Sequence, residues 1–485
     1  MLGRSFFLLL VALCSLHANG AGSSQAGLQL ASTGRREKKT PSIVAAVAIK
    51  QQSTQTKGNV ASVQLEGIKC IIGGAMAHLV LGTLYAWGSW ISYAPPSLRF
   101  FDGINRKNAQ ADALYVIPLT LVAQAAAMPF GPGLVARLGP QKTLLFGTLL
   151  TSLSVYLASM QTRLGLFMLF YSVLFGTGVG LAYTSPMIAG WKWMPQSKGL
   201  VSGGILTGFG AGGFIFNLIG TKLVNPKGLN PVNGAFPQEV YDNFPKMLRT
   251  LSLLYALTAT IGSSMISEPP VKVTTASTKT VASVLPGVGV SEALNTPQFW
   301  LMWAMIIASA SASLNVAASY KMYAMSSETL SGDSFQAAIG GFGALFNGGG
   351  RLIWGLIADK IGFKSSFTIL TILQASLMLS YSFATGSRLA FAANTCMLFF
   401  CLAGNLALMP SAAQKMFGPK AGATIYGIMF SAFGIASVFG SMLTKALAAS
   451  YGWPGTFNTL AGLSLVATAI VTFLTPIQSM PSSSV

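Results

Sequence analysis

Arg351 and Asn347 lie four residues apart in the stretch Phe346-Asn-Gly-Gly-Gly-Arg351-Leu-Ile-Trp-Gly355. On a helix that spacing places both on one face. An arginine offers a planar fork of donors matched to a carboxylate. Asp359 follows eight residues later and marks the end of the apolar run. At 1.5 Å per residue, Arg351 is then about 12 Å inside, close to the middle of a ~30 Å hydrocarbon core. A charge at that depth is costly and usually functional. None of the eleven acids is at mid-span, so an internal ion pair is a poor account of Arg351. His78 stands in another apolar run with Tyr85 seven residues on, on the same helix face. A buried histidine is either a hydrogen-bonded packing residue or a proton or substrate group, because it titrates near neutral pH. Asn315 and Asn405 are further polar groups in apolar runs and read as contacts between helices. The four cysteines (Cys14, Cys70, Cys396, Cys401) also sit in apolar runs, without CxxC or zinc spacing, and read as buried reduced thiols. The sequence shows no nucleophile, metal cluster or phosphate loop, so no catalytic residue, metal or cofactor is assigned.

The elements that must position these residues follow from composition. Of 485 residues, 52% are hydrophobic and only 8% charged. A typical soluble protein has about 25% charged residues. The mean hydropathy is +0.60. A soluble enzyme, a nucleic-acid-binding domain and a disordered chain are excluded. The net charge of +19 is spread over basic loops and an N-terminal segment, the pattern of a membrane protein. From Lys69 on, about twelve apolar runs of spanning length alternate with short polar breaks. They predict an all-α membrane protein, with 67–266 and 297–478 as two six-helix bundles. The segment 267–296, rich in Ser, Thr, Val and Pro, reads as the linker between them, and 479–485 as a short tail. Residues 1–22 carry one Arg, a short apolar run and Ala18-Asn19-Gly20-Ala21, which resembles a secretory signal. Residues 23–66 are basic and poor in acids, and read as a transit-like segment or a disordered tail.

An internal repeat supports the two halves. Gly133-Leu-Val-Ala-Arg137-Leu-Gly-Pro-Gln-Lys142 follows the second run, and Gly355-Leu-Ile-Ala-Asp359-Lys360-Ile-Gly-Phe-Lys364 follows the eighth. Leu206-Thr-Gly-Phe209-Gly-Ala-Gly-Gly213 in the fifth matches Phe430-Ser-Ala-Phe433-Gly-Ile-Ala-Ser437 in the eleventh. Both matches are six runs apart, which makes the halves parallel repeats. On these stretches the chain resembles the major facilitator superfamily. Gly82-Thr-Leu-Tyr85-Ala-Trp87, Gly176-Thr-Gly-Val-Gly180-Leu-Ala-Tyr183 and Trp193-Met-Pro-Gln-Ser-Lys198-Gly199, with the Arg351 stretch, resemble its oxalate/formate antiporter and monocarboxylate transporter branch.

The resemblance implies a multi-pass secondary active transporter, not an enzyme, working by alternating access on a small organic anion. Arg351 would bind the substrate carboxylate beside Asn347. Tyr85, Tyr183, Phe209 and Phe433 would fall in cavity-lining spans around it, with His78 among them. Gly355, Asp359, Lys360 and Arg137 would belong to the gating loops. Asp359 at a helix end can hydrogen-bond to the start of a neighbouring helix; the first half has Arg137 and no matching acid. Two departures matter. Phe433 stands where the oxalate carrier has a second cation, so one carboxylate is favoured over two. Asn347 stands where proton-coupled monocarboxylate transporters have an aspartate, which argues against carboxylate-based proton coupling.

The positive-inside rule gives ten basic residues in the loops on one side and eleven on the other, and the N-terminal segment makes it seventeen to eleven for inside termini. The expected partners are a small organic anion and the bilayer, with no nucleic acid, and the expected state is a monomer. The membrane is a plasma or organelle membrane, of plastid type if the leader is cleaved. A carrier for amino acids, with Arg351 on the α-carboxylate, is the alternative within transport. A non-transporting sensor on the same fold is the alternative from another class.

Overall fold

The computed structural model describes residues 63–104, 111–229, 236–270, 288–324, 327–330 and 333–475. The signal-like segment 1–22, the basic segment up to 62, the middle of the linker and the tail 479–485 lie outside the described residues. Twelve helical spans occur among those described, with no strand. They are α1 (Val63–Tyr93), α2 (Asp112–Leu138), α3 (Pro140–Ala158), α4 (Leu164–Trp193), α5 (Lys198–Val224) and α6 (Gln238–Ser264). The second half adds α7 (Pro297–Ala324), α8 (Asp333–Ile361), α9 (Phe363–Tyr381), α10 (388–417), α11 (419–451) and α12 (453–472). The two sets of six form a multi-pass, all-α bundle pair.

The loops that end α2 and α8 are built alike. Gly139 (φ 80°) and Gly362 (φ 82°) are each the single residue between two spans. A left-handed backbone there reverses the chain in one step, and glycine adopts it without a steric cost. The same conformation at Gly418 and Gly452 separates α10 from α11 and α11 from α12.

Seven helical stretches are long and apolar enough to cross a membrane by length and composition, while α3, α6, α8 and α9 are more polar. Their polar groups are managed locally. In α3 the hydroxyls of Thr148 and Ser152 donate to Leu144 O (2.8 Å) and Thr148 O (2.9 Å) one turn back. A hydroxyl bonded to its own helix carries little of the cost of an unsatisfied group in hydrocarbon.

The second half is pinned by side-chain amides. Asn405 of α10 accepts from Ser309 Oγ of α7 (2.7 Å) and donates to Gln374 Oε1 of α9 (3.1 Å). Gln374 Nε2 in turn donates to Ser464 Oγ of α12 (2.8 Å). Asn315 of α7 donates to Gly440 O of α11 (2.9 Å) and to Thr444. Both asparagines therefore act between helices.

The halves meet most closely along α5 and α8. A methyl group at Gly199 would collide with the Gly355 carbonyl, and one at Gly203 with the Arg351 carbonyl. Backbones can approach that closely only with no side chain between them. Gly203→Val is therefore expected to cost about 1–3 kcal/mol of overpacking or more. Thermal unfolding in detergent checks this, and an unchanged midpoint would show that α5 can shift away freely.

Candidate functional site

The α5–α8 contact places Arg351 in the centre of the molecule, 1% exposed. Its Nε and Nη2 both donate to Asn347 Oδ1, at 3.2 and 3.0 Å, and Nη1 donates to Leu206 O of α5 at 3.3 Å. These bonds use three of the five N–H groups of the guanidinium. Its carbon lies 5.5 Å from the centre of the Phe209 ring. Among the described residues no carboxylate pairs with it. Asn347, 8% exposed, sets the plane of the fork and itself donates to Phe399 O at 3.5 Å. Asn347 thus acts on its surroundings mainly through Arg351.

Phe209 organises the surrounding rings. Tyr85 approaches it edge-on at 5.9 Å, Tyr183 edge-on at 5.4 Å and His78 at 6.1 Å. His78 also meets the Tyr183 ring at 5.2 Å. The Tyr85 hydroxyl is within interaction range of Arg351. Four of the sequence-predicted residues on α1, α4 and α5 therefore converge with Arg351. Phe433 joins indirectly: it packs on Phe430 at 5.4 Å, and Phe430 packs on Tyr183 at 5.8 Å. Tyr426 closes the α11 side, 6.3 Å from both Tyr183 and Phe430. Neither Tyr426 nor Phe430 is singled out by the sequence reading. Their signal is the spacing Tyr426, Phe430, Phe433, which is one stripe of a helix.

One face of α1 leads away from this cage. Tyr85, Gly88, Ser89 and Ser92 are all exposed, and they repeat at helical spacing. Tyr85 is 43% exposed although its ring packs against the buried Phe209. A small and polar stripe that starts inside the cage is suited to water rather than lipid.

The opposite end is closed. Asp359 Oδ1 and Oδ2 accept from the backbone N–H groups of Gly199 (2.9 Å) and Leu200 (2.7 Å), at the first turn of α5. Its carboxylate is 2% exposed, and Lys415 of α10 pairs with it at 3.3 Å. The favourable dipole end of α5 and two charge-assisted hydrogen bonds hold the halves together there. Next to Tyr426 of the cage, the α11 backbone at Gly427 packs closely on Met128 and Pro129 of α2. Gly355 forms the α8 side of the close approach, whereas Arg137 and Lys360 point outward and exposed. Lys415, one of the ten basic loop residues counted on one side by the positive-inside rule, is the cation of this contact.

The arrangement is a central cage of aromatic rings with one forked cation, a polar stripe towards one end and an ionic latch at the other. The family model described as Major Facilitator Superfamily matches residues 79–404 and 301–484. Apicoplast pyruvate carrier 1 of Toxoplasma gondii is 27% identical, over 85% of this chain and 89% of its own length. The oxalate:formate antiporter of Oxalobacter formigenes is 28% identical, over 85% of this chain and 94% of its own. Among solved structures, the proton:xylose symporter XylE superposes with a TM-score of 0.63 at 12% identity, covering 84% of this chain and 95% of that one. FucP in the outward conformation gives 0.62 at 14% identity, covering 85% and 100%.

Proposed function

The chain belongs to the Major Facilitator Superfamily, and from that premise we propose that it carries a small monocarboxylate across an organelle membrane by alternating access. The observation that carries the reading is Arg351: a buried, forked cation that no acid neutralises among the described residues. An uncompensated cation in a low-dielectric site is costly, and an incoming carboxylate relieves that cost. The other buried cation among the described residues is Arg99, which lies beyond the end of α1 and bonds Tyr241 at 3.4 Å. One central cation suits one carboxylate, and the ring cage suits a short apolar body. The names of the relatives, which include a pyruvate carrier and an oxalate:formate antiporter, support an organic anion. The plastid-type relative and the leader-like N-terminus support the organelle membrane.

Alternating access rests on the asymmetry of the two ends. The Asp359 latch closes one, and the exposed Tyr85–Ser92 stripe suits the other to water. In transporters of this fold the two bundles rock about a midplane site. Counterflow in proteoliposomes tests the substrate class. Vesicles preloaded with unlabelled pyruvate are expected to take up labelled pyruvate at least about tenfold faster than oxalate-loaded vesicles take up oxalate, since the second carboxylate finds no cation. Equal rates would overturn the monocarboxylate reading, and alanine as the preferred solute would install the amino-acid carrier in its place.

A further inference from the structure

His78 is fully buried one turn beyond Gly74, and its Nδ1 lies 2.9 Å from the Gly74 carbonyl oxygen. A carbonyl only accepts, so Nδ1 carries the hydrogen. Nε2 is buried without a hydrogen-bond partner, and the imidazole ring lies 5.2 Å from the Tyr183 ring. With Nδ1 donating to Gly74, the neutral ring presents a bare Nε2 lone pair that can take up a proton. The groups facing the ring are Tyr183 of α4, Phe209 of α5, Arg351 of α8 and, behind Tyr183, Tyr426 of α11; Tyr85 shares its own helix. None is a carboxylate. Arg351 and His78 flank the same Phe209 ring, with 5.5 Å from the guanidinium carbon and 6.1 Å from the imidazole to its centre.

We propose that His78 is the proton-coupling residue of the central site, taking up one proton with each carboxylate that binds Arg351. This rests on the carboxylate reading above. In the empty site the guanidinium and a protonated imidazole would repel across Phe209. A bound carboxylate cancels the charge of Arg351 and removes that repulsion, so the unpartnered Nε2 can take up a proton. The proton comes from water along the Tyr85, Gly88, Ser89, Ser92 face. The hydronium O–H breaks, the Nε2–H bond forms and no electrons are transferred. The carboxylate stays ionised on Arg351. Both leave on the far side, so each cycle moves one anion and one proton with no net charge.

Full-length protein in proteoliposomes, with pyruvate as probe and a pH dye inside, tests this. A gradient of one pH unit, acid outside, is expected to drive about tenfold accumulation of pyruvate, with one proton entering per pyruvate. His78→Gln keeps an amide N–H for Gly74 but cannot hold a charge. Its residual uptake is expected to lose the gradient response, with accumulation near one and no acidification. A purely structural role would lower the rate and leave the proton stoichiometry at one. Tenfold accumulation by the variant would overturn the proposal. If the variant is inactive, the wild type decides: proton uptake on pyruvate binding in detergent should approach one per ligand, and zero overturns the assignment. Wild-type protein that exchanges pyruvate without protons refutes the proton role alone, whereas absence of pyruvate exchange refutes the carboxylate reading.

Discussion

Arg351→Ala is expected to abolish carboxylate transport, with binding weakened by roughly 10²–10⁴-fold. The magnitude follows from removing one partner of a buried, charge-assisted pair, which costs roughly 3–5 kcal/mol. Arg351→Lys should be milder. It keeps the charge but not the fork, and a single ammonium cannot reach Asn347 Oδ1, Leu206 O and a carboxylate with the same geometry. A loss of about tenfold in apparent affinity is expected for the lysine variant. The competing account is that Arg351 only bolts α5 to α8 through the Leu206 carbonyl. That account predicts lower expression and stability in both variants, with transport per folded molecule little changed. Uptake in proteoliposomes, normalised to protein that elutes as a single species in detergent, separates the two. Undiminished pyruvate uptake by well-folded Arg351→Ala protein would sink the anion reading.

The physical reasons for reading Arg351 from sequence do not extend to every member of the cage. A charge in an apolar run has one economical explanation, and a histidine seven residues from a tyrosine on the same face has two, packing or a site role, both of which turn it inward. Those residues converge, because a polar group in a span turns inward wherever it can. Aromatic residues carry no such constraint. Tyr426 and Phe430 form a stripe with Phe433, yet a stripe of rings in a membrane helix serves equally against lipid or against protein. Only the position of α4 beside α11 gives Tyr426 and Phe430 their place next to Tyr183. The fold was more legible than the site. Run length located the spans, and the Gly139 and Gly362 turns repeat in sequence as in backbone conformation. The partners supplied by main chain, such as the Leu206 carbonyl and the Gly199 and Leu200 N–H groups, have no sequence signature at all. Lys415 was equally hidden, since only the path of α10 brings it to an acid 56 residues earlier.

The latch at Asp359 leads to the second large effect. Asp359→Asn keeps the size of the side chain and one acceptor oxygen, but it removes the charge. The carboxylate holds Gly199 and Leu200 N–H through separate oxygens and sits at the positive end of α5. A hydrogen bond to a charged group contributes about 1.5–3 kcal/mol. The half-exposed Lys415 adds little, because solvent screens it. A loss of about 2 kcal/mol from the state closed at this end alone corresponds to a roughly 30-fold shift towards the state open there. The binding residues are untouched, about two helical turns away along α8, so affinity per competent molecule should persist. Cysteine pairs placed across α5 and α8 near Gly199 and Gly355 report the shift as a loss of cross-linking, and pairs across the opposite end should cross-link faster. Were cross-linking and uptake rates both to match wild type, the Asp359 contact would be a surface ion pair that biases neither state, and the closed end would owe its stability to the glycine packing of α5 on α8.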